Sequence, residues 1–381
     1  MATLPYLPFA RPTLDEDTIN GVTEVLRSGW ITTGPQVKKL ESALSAYLAD
    51  RPVRVLNSAT AALEVALQLC GIGPGDEVIT PAQTFFAAPN MIAKVGAKPV
   101  FVDVELISRN LDFNLVEQAI TPRTKAIMPT HFGGLPVEMD RLYEIAGKYR
   151  LRVIEDAALA IGSSWHGRRI GSFGDLIVFS FHPNKNMTTI EGGALVLADE
   201  AEAQEVEKLR FHGITRLPDG TRDVVFPGGK FNLPDVNARI GLGQLARLEE
   251  FNHRRRELAA DYFRSLQTEP ACLLPHPGYP GDESGHSWNL FAPLLPLDRL
   301  RIDRSQFRAA LDSHGIGTGI SYEAAHLTTL FRSDGHCEGE LPNTERIARE
   351  TVTLPLFPTM TRADVKRVCS AVDQVLTEAK R

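Results

Sequence analysis

The sequence predicts an α/β fold in which a mostly parallel central sheet has helices on both faces, followed by a smaller C-terminal α+β domain. Three observations lead to this prediction. Between residues 50 and 200, short apolar runs alternate with helix-like segments, as in sheets built from strand–helix–strand units. Several of these runs are continuously apolar, which is typical of strands buried on both faces. After Pro234 the alternation stops.

The predicted strands and helices follow one another along the first half of the chain. The strands are Val53–Leu56, Glu77–Thr80, Pro99–Val102, Ala126–Pro129, Arg152–Ile154, Leu176–Phe181 and Ala194–Leu197. The helices are Ala59–Leu69, Ala87–Val95, Leu115–Ile120, Met139–Tyr149 and Ala201–Phe211.

The second half of the chain has a different pattern. From Asp235 to about Leu266 there is no proline, and the Arg- and Glu-rich faces predict one or two long helices, before a proline-rich connection over residues 275–280. A chain of 381 residues is long enough for two domains. We expect residues 1–250 to form the large α/β domain with an N-terminal segment, and residues 251–381 the small α+β domain.

Composition narrows the possible functions. The net charge of -6, with 43% hydrophobic and 23% charged residues, is ordinary for a globular protein and indicates no general affinity for nucleic acid or anionic membranes. There is no apolar signal-like segment at the N-terminus and no apolar run of membrane-spanning length, so we expect a cytoplasmic protein. The four cysteines form no C-x-x-C pair, which argues against a zinc site or a disulfide framework.

Polar and aromatic side chains follow the ends of several predicted strands. Ligands of an open parallel sheet bind beyond the carboxyl ends of its strands, so these side chains should converge on one crevice. They are Ser58, Ala59 and Thr60 after the first strand, Thr84 and Phe85 after the second, His131 after the fourth, Asp156 after the fifth, and Ser180, His182 and Lys185 at or after the sixth.

Each of these residues, taken alone, also fits an ordinary structural role. Ser58 and Thr60 are typical helix N-cap residues, although a helix that opens with hydroxyl residues after a strand is also an anion site. Asp156 alone fits a cap or a solvated loop acid, Phe85 a core residue, and Lys185 a solvated loop lysine. The histidines fit structural roles as well. Only the combination points to a particular chemistry.

The combination meets the four requirements of a pyridoxal-phosphate (PLP) site. That cofactor needs a lysine amine for a Schiff base and a carboxylate that keeps its pyridine nitrogen protonated. It also needs a helix N-terminus with hydroxyls for its phosphate, and a flat or aromatic face against its ring. The residues that supply these features, in that order, are Lys185, Asp156, the group Ser58, Thr60 and Ser180, and Phe85.

On these residues the chain resembles the PLP-dependent sugar aminotransferases of fold type I, the DegT/DnrJ/EryC1/StrS group. The matching stretches run from about residue 5 into the C-terminal region and include "NSATAALEVAL", "VIEDAALAIGS", "GDLIVFSFHPNKNMTTIEGGAL" and "NLPDVNARIGLGQL". Asp175 to Ala194 is the most specific of them. Within the group, "LPFARP", "SGWITTGP", "KFNLPDVNA" and "GIGTGISYEAAH" look like the UDP-4-amino-4-deoxy-L-arabinose–oxoglutarate aminotransferases, which serve lipid A modification.

The resemblance implies an aspartate aminotransferase-like fold and a role for each matching residue. Lys185 would hold the cofactor as an internal aldimine and move the proton between substrate carbon and cofactor. Asp156 would pair with the pyridine nitrogen, and Phe85 would stack on the ring. The residues implied around the phosphate are Ser58, Ala59 through its backbone, Thr60, Ser180 and, from the neighbouring subunit, Asn232. Because the last of these acts across subunits, the resemblance implies a homodimer.

The implied reaction moves an amino group from glutamate, leaving 2-oxoglutarate, to a keto-sugar nucleotide, with a UDP-linked 4-keto-sugar favoured. Three departures bear on it: Leu159 where the group usually has histidine or glutamine, "HSWN" over residues 286–289, and "HLTTLF" from His326. They leave open an aminotransferase with a non-nucleotide carbonyl substrate. A PLP-dependent sugar dehydratase would have histidine in place of Lys185. A non-catalytic binding module would not need the pair of Lys185 and Asp156.

Overall fold

The computed structural model describes residues 5–266 and 271–381. Its strands are β1 (Val53–Leu56), β2 (Glu77–Pro81), β3 (Lys98–Val102), β4 (Thr124–Ile127), β5 (Arg152–Asp156), β6 (Ser164–Trp165), β7 (Arg168–Arg169), β8 (Leu176–Ser180), β9 (Gly193–Val196), β10 (Ile214–Arg216) and β11 (Arg222–Val224). Its α-helices are α1 (Glu16–Ser28), α2 (Pro35–Tyr47), α3 (Ala59–Leu69), α4 (Ala87–Lys94), α5 (Phe113–Gln118), α6 (Met139–Tyr149), α7 (Glu200–Leu209), α8 (Asp235–Ala246), α9 (Leu248–Ser265), α10 (Arg304–Ser313), α11 (Thr329–Arg332), α12 (Pro342–Glu350) and α13 (Arg362–Glu378).

Seven strands form the central sheet, in the order β1-β9-β8-β5-β4-β2-β3. The pairs β2–β3, β2–β4, β4–β5 and β5–β8 are parallel, whereas β9 runs antiparallel to both β8 and β1. Two short hairpins, β6–β7 and β10–β11, lie outside it. The prediction of a mostly parallel α/β sheet is confirmed.

Both faces of the sheet are buried, as the continuously apolar runs predicted. Successive residues of a strand point to opposite faces. Ile177 and Phe179 of β8 accordingly belong to the hydrophobic cluster that includes α2 and α6 residues. Leu176 and Val178 belong to the cluster that includes α3, α4 and α7 residues. Because every β8 side chain is covered, no polar alternation marks that strand in the sequence.

The predicted elements agree closely with the observed ones. Helices Ala59–Leu69 and Met139–Tyr149 and strand Val53–Leu56 match to the residue. The predicted fourth strand, Ala126–Pro129, lies two residues later than the observed β4 (Thr124–Ile127), because the apolar run continues past the hydrogen-bonded ladder. Pro129 has no N–H to donate to such a ladder. The predicted helical stretch after Pro234 is the pair α8 and α9.

The C-terminal part has its own hydrophobic cluster, built from α9, α10 and α13 residues such as Tyr262, Phe307 and Val368. Between residues 271 and 381 the backbone pairs through isolated bridges, for example Phe291 with Leu354. Helix α9 begins in the cluster of the large sheet, at Leu248, and continues into the C-terminal one. The boundary at residue 250 stays a prediction.

Among the described residues, none of the helices combines the length and apolar character that crossing a bilayer requires.

Candidate active site

A cavity of about 250 Å³ lies beyond the carboxyl ends of β1, β2, β5 and β8. The predicted site residues that line it are Ser58, Ala59, Thr60, Phe85, Asp156, Ser180 and Lys185. They come from separate parts of the chain, and the parallel strands bring them together because each strand delivers its following loop to the same edge. Asn232 does not line the cavity of its own chain.

The start of helix α3 forms one wall. The Ser58 hydroxyl caps the helix by accepting a hydrogen bond from the Ala61 N–H at 3.0 Å, which is the ordinary role considered for it. The first N–H groups of a helix have no partner inside it, so Ala59 and Thr60 present donors at an end that favours negative charge. Gly193 of β9 lies so close that a Cβ there would come within 2.5 Å of the Ala59 nitrogen. The Ser180 hydroxyl lines the same cavity.

Lys185 stands in the loop between β8 and β9, with its backbone N–H donating to the His182 carbonyl at 2.9 Å. Burial lowers the pKa of its amine to about 8, and the negative charge of Asp156 opposes that shift. At neutral pH roughly a tenth of a lysine with such a pKa is neutral, far more than of an ordinary lysine. It is therefore far closer to a nucleophile and proton acceptor than a solvated lysine would be.

Asp156 ends strand β5 and is 4% exposed. Burial raises the pKa of its carboxyl group. The Ala158 N–H, which donates to Oδ1 at 3.1 Å, and the charges of Lys185 and His131 oppose the shift. A buried carboxylate with so few donors gains from a cationic partner. The solvated-acid interpretation of Asp156 is therefore wrong.

An aromatic wall completes the cavity. Phe85 is 55% exposed, so its interpretation as a core residue is wrong. Its ring centroid lies 5.8 Å from that of Tyr322, which also lines the cavity. Burial raises the pKa of the Tyr322 hydroxyl, which stays protonated at neutral pH. Sequence reasoning did not single out Tyr322, although the segment "GISYEAAH" that contains it was part of the resemblance.

Several polar residues turn out to support the site from outside the cavity. Asn289, one of the departures from the group pattern, donates to the Asn184 carbonyl at 3.2 Å and to Asn186 Oδ1 at 2.7 Å. It therefore holds the loop of Lys185.

Leu159, by contrast, does line the cavity, and it makes that part of the wall apolar. His131 is fully buried, with its Nε2 atom 3.0 Å from Glu155 Oε2.

Asn232 lies away from the cavity of its own chain, as do three other polar residues. The Asn232 amide donates to the Thr33 hydroxyl and accepts from the Lys230 ammonium. His212 and Lys230 are exposed. His326 is fully buried, and its Nε2 atom lies 3.3 Å from Glu345. None of these lines the cavity in its own chain.

The donor set of the cavity fits PLP. It combines an amine with a lowered pKa, a buried carboxylate short of donors, a helix N-terminus flanked by hydroxyls, and an exposed aromatic face. The same set does not fit a metal ion. Among the described residues, no group of three or more histidines, cysteines or acids is arranged to hold one, and all four cysteines are free.

Comparisons with known proteins agree with this geometry. The model of the DegT/DnrJ/EryC1/StrS aminotransferase family matches residues 12–373. The putative sugar aminotransferase Spr1654 from Streptococcus pneumoniae, solved in PLP and PMP forms, is 33% identical, with a TM-score of 0.91 over 98% of this chain and 99% of that one. DesV from S. venezuelae is 35% identical, with a TM-score of 0.89 over 97% and 98%. Helicobacter pylori PseC, an aminotransferase involved in the biosynthesis of pseudoaminic acid, is 26% identical, with a TM-score of 0.91 over 98% and 100%.

Proposed function

Since this chain belongs to the DegT/DnrJ/EryC1/StrS aminotransferase family, we propose that it moves an amino group from glutamate to a nucleotide-linked 4-keto-sugar, with UDP as the favoured nucleotide. The chain is a PLP-dependent sugar aminotransferase. The proposal adds glutamate as the donor, the nucleotide, and the 4-keto position of the sugar. One observation carries the chemistry: Lys185, Asp156 and the start of α3 line a single cavity.

The proposal assigns Lys185 as the residue that carries the cofactor and moves the proton. PLP, when bound, supplies an electron sink for negative charge on the substrate carbon. The Lys185 Nζ atom would take the proton from the carbon that bears the amino group and pass it to the cofactor, and in the second half of the reaction it would move a proton in the opposite direction. Its pKa of about 8 suits both directions near neutral pH.

The remaining residues hold the cofactor in place. We assign Asp156 to the pyridine nitrogen, because its buried carboxylate needs a cationic partner. We assign Phe85 to the ring face, since it is exposed on the cavity wall. The residues assigned to the phosphate are Ser58, Ala59, Thr60 and Ser180, with Asn232 of the second subunit.

Experiment can also distinguish two other activities. A sugar dehydratase of this family type would lack the lysine amine, so Lys185 disfavours it. An aminotransferase for a non-nucleotide carbonyl compound is favoured by one observation, the apolar Leu159 on the cavity wall. A leucine there offers no hydrogen bond to a sugar or cofactor oxygen.

Steady-state transamination tests the acceptor. We expect glutamate alone to convert the bound cofactor to its pyridoxamine form. We then expect UDP- or dTDP-linked 4-keto-sugars to exceed simple aldehydes and 2-oxo acids by at least about 10²-fold in kcat/KM, because sites built around sugar hydroxyls discriminate strongly. The readout is 2-oxoglutarate formed. A simple carbonyl compound that reacts better than every nucleotide sugar would overturn the acceptor, whereas the family assignment would stand.

The proposal also includes a homodimer in which Asn232 acts on the partner's site. Two facts support it. Asn232 does not line its own cavity, and apolar side chains such as Trp30, Phe85 and Ile190 are more than half exposed. An interface would remove these apolar side chains from water. A homodimer with shared sites is isologous, so each subunit would complete the other.

Subunit mixing tests the shared site. Lys185→Ala and Asn232→Ala chains, unfolded and refolded together, should recover about a quarter of wild-type activity, because half of the dimers are mixed and one of their two sites has neither lesion. The control pairs Lys185→Ala with Asp156→Asn. Both residues belong to the same subunit's cavity, so that mixture should recover nothing. Equal recovery from both mixtures, or from neither once mixed dimers are isolated, contradicts action in trans.

A further inference from the structure

Arg109 is a buried cation without a counter-charge. Its side chain is 1% exposed, and none of its three guanidinium nitrogens has a hydrogen-bond partner among the described residues. The guanidinium carbon lies 5.6 Å from the centroid of the Phe132 ring. Burial lowers the pKa of Arg109 to about 9, so the group is still charged at neutral pH. A buried charge without compensation is costly, and almost all buried polar groups in proteins are satisfied.

The turn that carries Arg109 offers it no acid. The Arg109 N–H donates to the Glu105 backbone carbonyl at 2.8 Å, but the Glu105 carboxylate accepts instead from the Ser108 hydroxyl at 2.8 Å. Arg109 itself has φ 61°, the left-handed region that few non-glycine residues adopt. The backbone at Arg109 therefore adopts an unfavourable conformation while the side chain is buried. No carboxylate among the described residues forms an ion pair with the Arg109 guanidinium.

A small cavity lies beside Arg109, separate from the main one. Its volume of about 10 Å³ holds roughly one water-sized sphere. Its walls are mostly apolar and include Phe132 and Leu135. Besides Arg109, the polar side chains that line it are Ser108, whose hydroxyl donates to Glu105, and the imidazoles of His276 and His286, with no carboxylate. The His276 Nδ1 atom accepts the Gly278 N–H at 3.2 Å, which leaves the ring proton on Nε2 as a further donor.

We propose that this cavity, between Arg109 and His276, binds a single monatomic halide ion, chloride under physiological conditions. One negative charge neutralises the guanidinium, which a water molecule cannot do. The small volume favours one monatomic ion over the larger sulfate, phosphate and carboxylate groups. Ile107, which also lines the cavity, is 40% exposed, so this wall of the cavity borders solvent.

Thermal unfolding of the PLP-loaded protein tests the site. A ligand that binds only the folded state stabilises it. Raising sodium chloride or bromide to about 0.2 M should raise the wild-type Tm by about 3 °C more than sodium sulfate at equal ionic strength. Arg109→Met should lose that difference. The control, Arg168→Met, removes an exposed arginine that also stacks on an aromatic ring, Phe173; it should keep the full difference.

Crystals of the wild-type protein grown with sodium bromide give an answer that does not depend on the variant. We expect an anomalous peak within hydrogen-bond distance of the Arg109 guanidinium. Density without an anomalous signal would identify water and overturn the proposal. A peak accompanied by no halide-specific rise in Tm would identify an adventitious ion only, and would overturn it as well. So would an equal halide response in wild type and Arg109→Met.

Discussion

Lys185→Ala should abolish amino transfer while the protein remains folded and still binds PLP without a covalent bond. In the proposed mechanism, the substitution removes the amine that would carry the cofactor and would move the substrate proton. Loss of a general acid or base alone typically costs about 10²–10⁴-fold, and here the covalent attachment is lost too. The other cavity residues remain, so the contacts that we propose for the phosphate and the ring should persist.

Two measurements check this. Borohydride reduction of the wild-type protein should fix PLP to the peptide that contains Lys185, and the variant should release its PLP on denaturation. Lys366→Ala, in which an exposed lysine of α13 is removed, serves as the control and should behave like wild type. Turnover of Lys185→Ala near the wild-type rate, or borohydride labelling of another lysine, would show that the cofactor is carried elsewhere.

Asp156→Asn should be folded but lose activity by about 10²–10⁴-fold, a loss comparable to removal of a general acid or base. An amide cannot hold a proton on the pyridine nitrogen, so the cofactor withdraws electrons poorly. The fold should tolerate the change, because the amide oxygen can still accept the Ala158 N–H that Oδ1 accepts at 3.1 Å. Burial already raises the pKa of this carboxyl group, which means that its charge is costly to bury. Removing the charge therefore removes a desolvation cost from the folded apoprotein.

The test compares kcat, the absorbance of the bound cofactor and the Tm of the apoprotein. We expect a large fall in kcat, an altered cofactor spectrum and a Tm that is unchanged or higher. Asp50→Asn, at an exposed acid, is the matched control. If Asp156→Asn kept most of its activity and its spectrum but lost stability, Asp156 would be a structural cap and not a cofactor ligand.

The sequence by itself determined the sheet and the chemistry at its edge. Runs such as Leu176–Phe181 are apolar throughout, and that pattern persists only in strands covered on both faces, so the α/β class followed. The strand ends then located Lys185 and Asp156, because ligands of a parallel sheet bind at its carboxyl edge. Both inferences depend on short stretches of chain, where residue type and spacing report directly on structure.

Only the tertiary structure decided which side chains meet. Phe85 fits a core residue by type, but the C-terminal part places Tyr322 against it at the cavity wall. Asn289 follows no strand of the sheet, yet its amide holds the loop of Lys185 through hydrogen bonds to Asn184 and Asn186. These two residues precede it by 105 and 103 positions. Arg109 gives no sign in the sequence that it is buried without an acid. Such contacts join residues far apart in sequence, and packing and desolvation, which periodicity does not report, determine them.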